Sequence, residues 1–294
     1  MTIRQEMSRL AGRAAGRLPH GAGPVVQFLR GRRCPDGGFR GRSADSDLYY
    51  TAFAVHALSA LSAELPTEPL GRYLDSFAGG DDLDLVHLAC LARCRAVMPG
   101  GAPRAAAPGI AAAIERCRSA DGGYAPAPGA DRGTAYACFL ALGALQDLGA
   151  APARPEEIAA CLESLQVKGG AFANDACLPM GMVPATTAAV VTLRHLGRPP
   201  RRGSLDWLLA RRRPDGGFAA AEGLAESDLL STATSLFALR TAGADLTPLR
   251  EDCAAYVLAL HDSGGGFRDR PADGQADCEY AFYALLALGA LEQP

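Results

Sequence analysis

The sequence predicts an all-α protein in which six helical hairpins form an α6/α6 toroid, with a ring of inner helices inside a ring of outer helices. Three observations support this fold class. A Gly-Gly pair recurs at spacings of 42 to 49 residues, beginning at Gly37, Gly79, Gly122, Gly169, Gly216 and Gly265. An Ala- and Leu-rich segment with helical three- and four-residue spacing follows the pairs. A second helical segment precedes each pair, so each repeat reads helix, Gly-rich turn, helix.

The turns carry a Gly-Gly-aromatic signature. Three of them read Asp-Gly-Gly-aromatic, at Asp36–Phe39, Asp121–Tyr124 and Asp215–Phe218. A fourth is Gly265–Phe267, and Gly169–Phe172 is a variant. Glycine adopts the positive φ that tight turns require, so these pairs are expected to connect the two helices of each hairpin.

Each inner helix is expected to begin near an aspartate. Counting back from the last leucine of each apolar segment aligns Asp47, Asp131, Asp228 and Asp277, and Asp84 joins them when its segment is aligned by its start. An aspartate at this position accepts hydrogen bonds from the first turn of a helix and contributes roughly 1 kcal/mol. We therefore interpret these five residues as N-caps.

The outer helices are predicted in front of the glycine pairs. Their expected bounds are Val25–Arg32, Leu70–Phe77, Ile110–Arg118, Pro155–Gln166, Ser204–Arg212 and Arg250–His261. The helix after each glycine turn is the more apolar of the two, which places it in the inner ring. The period alone does not show that the ring closes, so an open superhelix is the alternative architecture.

Residues 1–23 precede the repeats and form a separate segment. Its apolar side chains share one helical face and its arginines another; the apolar set is Ile3, Met7, Leu10, Ala14 and Leu18. We expect an amphipathic helix packed on the barrel formed by residues 24–294. A helix lying on a membrane surface is the alternative interpretation.

Composition excludes several classes of function. The chain has 294 residues, 49% of them apolar, and a net charge of −3, which gives no electrostatic case for binding nucleic acid. The longest apolar stretches hold about a dozen residues, fewer than the roughly 18 that a membrane span needs, so no transmembrane segment is expected. Nine cysteines without a CxxC pair favour a reducing, cytoplasmic location.

The first repeat carries a family resemblance. Pro35–Arg42 followed by Asp47–Thr51 resembles the repeats of protein prenyltransferase β subunits, and more broadly those of the prenyltransferase and squalene-cyclase superfamily, over residues 24–291. The resemblance implies inner helices that line a deep apolar funnel. In protein-modifying members this funnel holds a farnesyl or geranylgeranyl chain, zinc is bound by Asp, Cys and His, and a helical partner subunit is present.

The zinc ligands that the resemblance implies are not all present. Asp228 matches the aspartate, whereas Leu230 and Tyr280 stand where the cysteine and the histidine are expected. One ligand of three does not hold zinc, so the sequence predicts a zinc-independent protein with no metal cofactor. Neither the protonating Asp-x-Asp-Asp of terpene cyclases nor the ionising Asp-Asp-x-x-Asp motif occurs.

Aromatic residues are predicted to form one wall of the funnel. The resemblance implies that the third and sixth residues after each aligned aspartate face inward. The first and last repeats supply aromatic rings there and beside them: Tyr49, Tyr50, Phe53, Tyr280 and Tyr283. The third to fifth repeats supply small residues, so we expect an aromatic wall opposite a recessed one, able to hold an isoprenoid and stabilise a carbocation. Ordinary core packing is the alternative.

Basic loops flank this wall. Arg40 and Arg42 follow the first glycine pair, and Arg268 and Arg270 follow the last. Arginine side chains and helix N-termini both favour phosphate, which suggests a diphosphate site at the junction of the first and last repeats. The alternative is that these arginines form surface ion pairs.

The candidate catalytic residues are His87, Asp84 and Tyr280. His87 shares a helical stripe with Cys90 and Cys94, and Asp84 precedes it by a turn, as expected for a general base with its partner. A packed core histidine is the alternative.

The sequence thus predicts a prenyltransferase-like or terpene-cyclase-like enzyme that binds an isoprenoid, such as a prenyl diphosphate, in a central funnel. A non-catalytic toroid that binds a lipid or a partner helix is the main alternative. A scaffold with a filled centre is the third possibility.

Overall fold

The chain forms two concentric rings of helices. The structure, a computed structural model, describes residues 1–99 and 107–293, and within these ranges there are thirteen α-helices, short 3-10 turns and isolated β-bridges but no β-strand. The first helix is α1, Ile3–Ala11. The outer helices are α2 (Gly23–Arg30), α4 (Thr67–Asp75), α6 (Ala107–Arg116), α8 (Pro155–Ser164), α10 (Arg202–Leu209) and α12 (Arg250–Ala259). The inner helices are α3 (Leu48–Ala60), α5 (Leu85–Val97), α7 (Ala135–Asp147), α9 (Val183–His195), α11 (Leu229–Thr241) and α13 (Cys278–Ala290).

The inner ring is closed. Each inner helix packs on the next in chain order, and the last, α13, packs on the first, α3. The inner helices are buried on nearly all sides because they face the outer ring on one side and the centre on the other. The predicted α6/α6 toroid is confirmed, and the open superhelix is excluded.

The glycine turns hold neighbouring repeats together. Gly37 has φ +100°, and a Cβ built on it would lie 2.1 Å from the carbonyl oxygen of Pro69 at the start of α4. Gly265 has φ +88°, and its Cβ would lie 2.4 Å from the carbonyl oxygen of Pro24 in α2. The sixth turn therefore contacts the first outer helix, which closes the outer ring as well. Only glycine combines this positive φ with so close a backbone contact.

Five of the six glycine turns carry an aromatic residue, and this residue enters the core. Phe39 is 1% exposed, and its backbone N–H donates to the hydroxyl of Thr51 in α3 at 2.8 Å. The same arrangement joins Phe218 to Thr232 at 2.9 Å. Each ring therefore packs under the inner helix that follows its turn, which explains why the Gly-Gly-aromatic signature recurs.

Four of the five expected N-caps are present. The carboxylates of Asp47, Asp84, Asp228 and Asp277 accept hydrogen bonds from the first turns of α3, α5, α11 and α13. The expectation for Asp131 is wrong, because α7 begins three residues later, where the hydroxyl of Thr134 accepts from the backbone of Ala137 at 3.1 Å. A hydroxyl serves this purpose as well as a carboxylate, so alignment by aspartate misplaced this helix.

The N-terminal segment covers one end of the barrel. All five residues of its apolar face are buried, and α1 packs on α3, α7 and α13. Arg4 donates to Asp147 at the end of α7 at 2.8 Å, and Glu6 contacts His195 at the end of α9 at 3.1 Å. A Cβ on Gly289 would lie 1.7 Å from the carbonyl oxygen of Leu10. The segment therefore closes the barrel at the C-terminal ends of the inner helices.

Candidate functional site

A cavity of about 440 Å³ occupies the centre of the inner ring. Met7 of α1 bounds it at the covered end of the barrel, and residues near the N-termini of the inner helices form its rim at the other end. Aromatic rings contribute much of its wall: Tyr49, Phe53, Tyr136, Phe139, Phe237 and Tyr283. The volume falls within the range of small-molecule sites, so the cavity is the candidate binding site of this fold.

The aromatic wall lies where α3 and α13 meet. The ring of Phe53 lies 4.9 Å from the ring of Tyr49 and 5.4 Å from that of Tyr283, centroid to centroid. The inclination of these ring pairs is favourable for aromatic packing. The structure thus brings together three of the ligand-binding residues expected from the sequence, all on the cavity surface.

The wall is less one-sided than expected. The third repeat supplies Tyr136 and Phe139, because the N-cap of α7 is Thr134 and not Asp131, so different side chains of this helix face inward. Small side chains are concentrated on α9, where Ala185 and Ala188 line the cavity. The recess is therefore confined mainly to one helix.

The inward register also differs by one residue from the expected one. The residue two positions after the cap lines the cavity in α3, α7, α11 and α13, where the resemblance implied the third; these residues are Tyr49, Tyr136, Leu230 and Glu279. The sixth position faces inward as expected, at Phe53 in α3 and Tyr283 in α13. This shift introduces a carboxylate, Glu279, that was not among the candidates.

Glu279 is an acid on the cavity wall. Its carboxylate accepts a hydrogen bond from the hydroxyl of Tyr49 at 2.8 Å. Burial raises the pKa of Glu279 to about 7, the charge of Asp277 adds to that rise, and the hydrogen bond from Tyr49 opposes it. A carboxyl group with such a pKa carries a proton in a large fraction of molecules near neutral pH, so it can act as a proton donor.

Arg93 is a buried cation on the same cavity. It belongs to α5, is 9% exposed, and lines both the central cavity and a side pocket of about 20 Å³ beside His56. Its Nε and Nη2 atoms are buried with no hydrogen-bond partner among the described residues. Burial, together with the charge of Arg93, lowers the pKa of His56 well below its usual value, which keeps that imidazole neutral.

The other candidate site residues near the N-termini of the inner helices lie outside the cavity. The ring of Tyr50 lies against Gly41, where a Cβ would come within 2.2 Å of it. Tyr280 lies beneath the guanidinium of Arg42, 5.7 Å from ring centroid to Cζ. His87 contacts Asp84 at 2.8 Å, with the two side chains 36% and 53% exposed. The structure therefore places the three predicted catalytic residues away from the aromatic wall.

Two of the four loop arginines are held in ion pairs. Arg42 contacts Asp277 at 2.9 Å and Asp273 at 2.6 Å. Arg270 contacts Asp269 at 2.9 Å. Their charges are thus largely compensated, in agreement with the alternative of surface ion pairs. The side chains of the remaining two, Arg40 and Arg268, are absent from the cavity lining, and neither makes an ion pair within the described residues.

The residues at the expected zinc positions do not fit a zinc site. Asp228 uses both carboxylate oxygens to bind the backbone N–H and the hydroxyl of Ser231, at 2.6 and 2.9 Å. Leu230 offers no lone pair, and Tyr280 is packed beneath Arg42. Throughout residues 1–99 and 107–293, no group of three or more His, Cys, Asp or Glu side chains is arranged to hold a metal ion.

Sequence reasoning missed Glu279 and Arg93, although both left a signal. Glu279 is the one charged residue of α13, and Arg93 is one of two arginines in the largely apolar α5. Charged residues are seldom buried unless they are paired or functional.

No helix in the described part of the chain is long and apolar enough to cross a membrane.

Comparison with known proteins places this fold in a family. The model of the prenyltransferase alpha-alpha toroid domain matches residues 20–152 and 131–293. Drimenyl diphosphate synthase from Streptomyces showdoensis is 35% identical over 152 residues, 48% of this chain, and the match spans only 27% of that synthase.

Solved structures show the same fold at low identity. A variant of the type II terpene cyclase MstE from Scytonema, in complex with geranylgeranyl dihydroxybenzoate, gives a TM-score of 0.66 at 14% identity, with 98% of each chain covered. Protein geranylgeranyltransferase-I from Candida albicans, complexed with GGPP, gives 0.65 at 14% identity, with 90% of this chain and 89% of that chain covered. Since the family model matches nearly the whole sequence, the chain belongs to the prenyltransferase alpha-alpha toroid family.

Proposed function

We propose that this protein binds an isoprenoid chain in its central cavity and acts on it as a zinc-independent, terpene-cyclase-like enzyme. The observation that carries the proposal is the aromatic-walled cavity of about 440 Å³ with a protonatable carboxyl group, Glu279, on its surface. The family likeness supports it, since two structures of this fold hold geranylgeranyl compounds and the related Streptomyces protein is a drimenyl diphosphate synthase.

The arrangement suits a reaction that begins with protonation of a carbon–carbon double bond. The carboxyl group of Glu279 gives its proton to one alkene carbon, the π electrons form the new C–H bond, and the neighbouring carbon becomes a carbocation. The rings of Phe53 and Tyr283 line the same space, where the electron-rich face of an aromatic ring stabilises a cation by about 0.5–2 kcal/mol. Loss of a proton from the rearranged cation to the Glu279 carboxylate restores the acid.

Zinc is not part of this proposal. The residues at the positions that resemble a zinc site lack two of the three ligands, and Asp228 is engaged with Ser231. Activity is therefore expected to survive treatment with a chelator, whereas a zinc enzyme would lose it.

The test measures binding and product formation separately. Farnesyl and geranylgeranyl diphosphate are offered to the wild type and to Glu279→Gln, with thermal shift for binding and mass spectrometry for products. We expect a higher melting temperature in both proteins, because a ligand that binds only the native state stabilises it. Turnover should fall by about 100-fold or more in Glu279→Gln, the size of a general-acid contribution.

A matched control is Glu64→Gln, because Glu64 is exposed and makes no ion pair with a described residue. Equal turnover in Glu279→Gln and in the control would remove Glu279 from the reaction. Absence of a thermal shift with both compounds would contradict binding of a prenyl diphosphate.

A non-catalytic isoprenoid-binding protein is the second candidate. The observation that favours it is the hydrogen bond from Tyr49, which stabilises the ionised carboxylate of Glu279 and so reduces the fraction of molecules in which Glu279 carries a proton to donate. The same experiment separates the two functions, since a binding protein would show the thermal shift but no product.

A further inference from the structure

The cavity contains a buried positive charge that the proposed proton transfer does not use. Arg93 is 9% exposed, lies on α5 and lines the central cavity. Its Nε and Nη2 have no hydrogen-bond partner among the described residues, and its guanidinium lies over the ring of Phe139, with 5.9 Å between Cζ and the ring centroid. A buried guanidinium in this condition is costly unless something compensates its charge.

The position of Arg93 is toward the covered end of the barrel. A Cβ built on Gly143 of α7 would lie 3.8 Å from Arg93 Nη2 and 4.0 Å from the end of the Ile3 side chain in α1. Arg93 therefore lies near α1, whereas Glu279 lies at the rim, two residues after the N-cap of α13. The acidic and the basic group of the cavity mark its opposite ends.

The surrounding protein leaves the charge of Arg93 uncompensated. The nearby carboxylate of Asp147 is fully buried and accepts from Arg4 at 2.8 Å. Its other oxygen, Oδ2, has no hydrogen-bond partner within the described residues, so Arg93 does not reach it. The Asp147 carboxylate is thus paired with Arg4 and not with Arg93, and the imidazole of His56 stays neutral because burial and the charges of Arg93 and Arg4 lower its pKa. One positive charge is in excess at this end.

We propose that Arg93 forms an anion-binding subsite at the α1 end of the cavity, which takes a carboxylate carried by an isoprenoid ligand. The inference rests on the proposed function, because the apolar wall must hold the hydrocarbon part of that ligand. A single negative charge matches the single cation found among the described lining residues. A diphosphate carries more charge than one guanidinium compensates, and Glu279 would add repulsion when ionised.

The planar guanidinium suits a carboxylate. A guanidinium presents parallel N–H donors that match the two oxygens of the group, and in a site from which water is excluded such paired bonds are strong. Nε and Nη2 of Arg93 are fully buried without a hydrogen-bond partner among the described residues, so the protein itself leaves the guanidinium uncompensated. The ligand is thus held with its acidic end toward α1 and its chain directed along the aromatic wall to Glu279.

The experiment compares three ligands that share one hydrocarbon chain: farnesoic acid, its methyl ester and farnesol. Dissociation constants are measured by calorimetry at pH 8 for the wild type, Arg93→Met and Arg95→Met. Arg95 is the matched control, since it lies on the same helix but donates to Asp75 at 3.1 Å and to the Leu74 carbonyl at 2.9 Å, away from the cavity. We expect the wild type to prefer the acid by about 10- to 100-fold, the size of a charged hydrogen-bond pair.

The preference for the acid should disappear in Arg93→Met and persist in Arg95→Met. Equal affinity of the wild type for acid, ester and alcohol would overturn the subsite and leave isoprenoid binding intact. Failure of all three ligands to bind the wild type would overturn the proposed function, and the subsite with it. Because the comparison among ligands uses the wild type, it decides the question even when a variant fails to fold.

The melting temperature of the unliganded protein gives a second, independent test of the uncompensated charge. Methionine fills a similar volume without a charge, so the unliganded Arg93→Met protein should melt at or above the wild-type temperature. An arginine with a purely structural role would instead lower the melting temperature when replaced. A clear decrease in Arg93→Met would therefore contradict an uncompensated charge at this site.

Discussion

Replacing Glu279 with glutamine should remove a loss of stability that the protein suffers at high pH. Burial raises the pKa of Glu279 to about 7, against an ordinary value of 4.5 in the unfolded chain. Because the folded pKa is the higher one, the folded state holds the proton more tightly. The stability that this proton contributes is fully present below about pH 4.5 and is lost as the pH rises through about 7.

The size of the effect follows from the separation of the two pKa values. At about 1.36 kcal/mol per pH unit, the separation corresponds to about 3 kcal/mol between the fully protonated and the fully ionised protein. Glu279 is only partly buried at the rim, so solvent screens some of this energy, and we expect about 1–2 kcal/mol. Glutamine keeps the shape and an acceptor oxygen for Tyr49 but does not ionise.

The assay is urea unfolding of the wild type, Glu279→Gln and the exposed control Glu64→Gln at pH 5 and pH 8.5. Other groups titrate in this range, but they do so in all three proteins, so the difference between wild type and variant isolates Glu279. We expect the wild type and the control to lose about 1–2 kcal/mol more than Glu279→Gln on going to pH 8.5. Parallel losses in all three proteins would refute the argument that Glu279 is a buried acid.

Three further predictions test the fold that positions the cavity. Replacing Gly289 with valine places side-chain atoms against the backbone of α1 and should destabilise the protein by about 1–3 kcal/mol, as measured by denaturant unfolding, with exposure of the covered end to proteolysis. Thr134→Ala should cost about 1 kcal/mol, whereas Asp131→Ala should leave the melting temperature nearly unchanged, because only the former caps α7. Arg42→Ala should cost about 1–3 kcal/mol by thermal unfolding, because it removes an ion partner from Asp277, which is 1% exposed; an unchanged melting temperature would show that the pair contributes nothing.

Sequence patterns predicted the repeat architecture because the repeats share the same short-range structural features. A glycine with positive φ, an aromatic ring that enters the core and a capped apolar helix are each encoded within a few residues, so they are visible in the sequence. The aromatic wall was predicted from residues near the N-termini of the first and last inner helices, and Tyr49, Phe53 and Tyr283 do lie on the cavity. Their part in ligand binding remains a prediction.

Other features of the site depended on small shifts of register. Successive residues of a helix point about 100° apart, so an inward face assigned one residue too late exchanges Glu279 for Tyr280. In α7 a cap on Thr134, three residues beyond Asp131, brought Tyr136 into the cavity. Neither shift changes the composition or period of the sequence, so neither was detectable from the pattern.

The sequence by itself determined that six helical hairpins repeat and where their turns lie, since both depend on residue identity and local spacing. Only the tertiary structure decided that the ring closes, that α1 covers one end, and that Glu279 and Arg93 face one cavity while the loop residue Arg42 is bound by aspartates. These properties depend on distances between residues far apart in the chain, and side-chain charges are compensated or left free by neighbours that the sequence order does not specify.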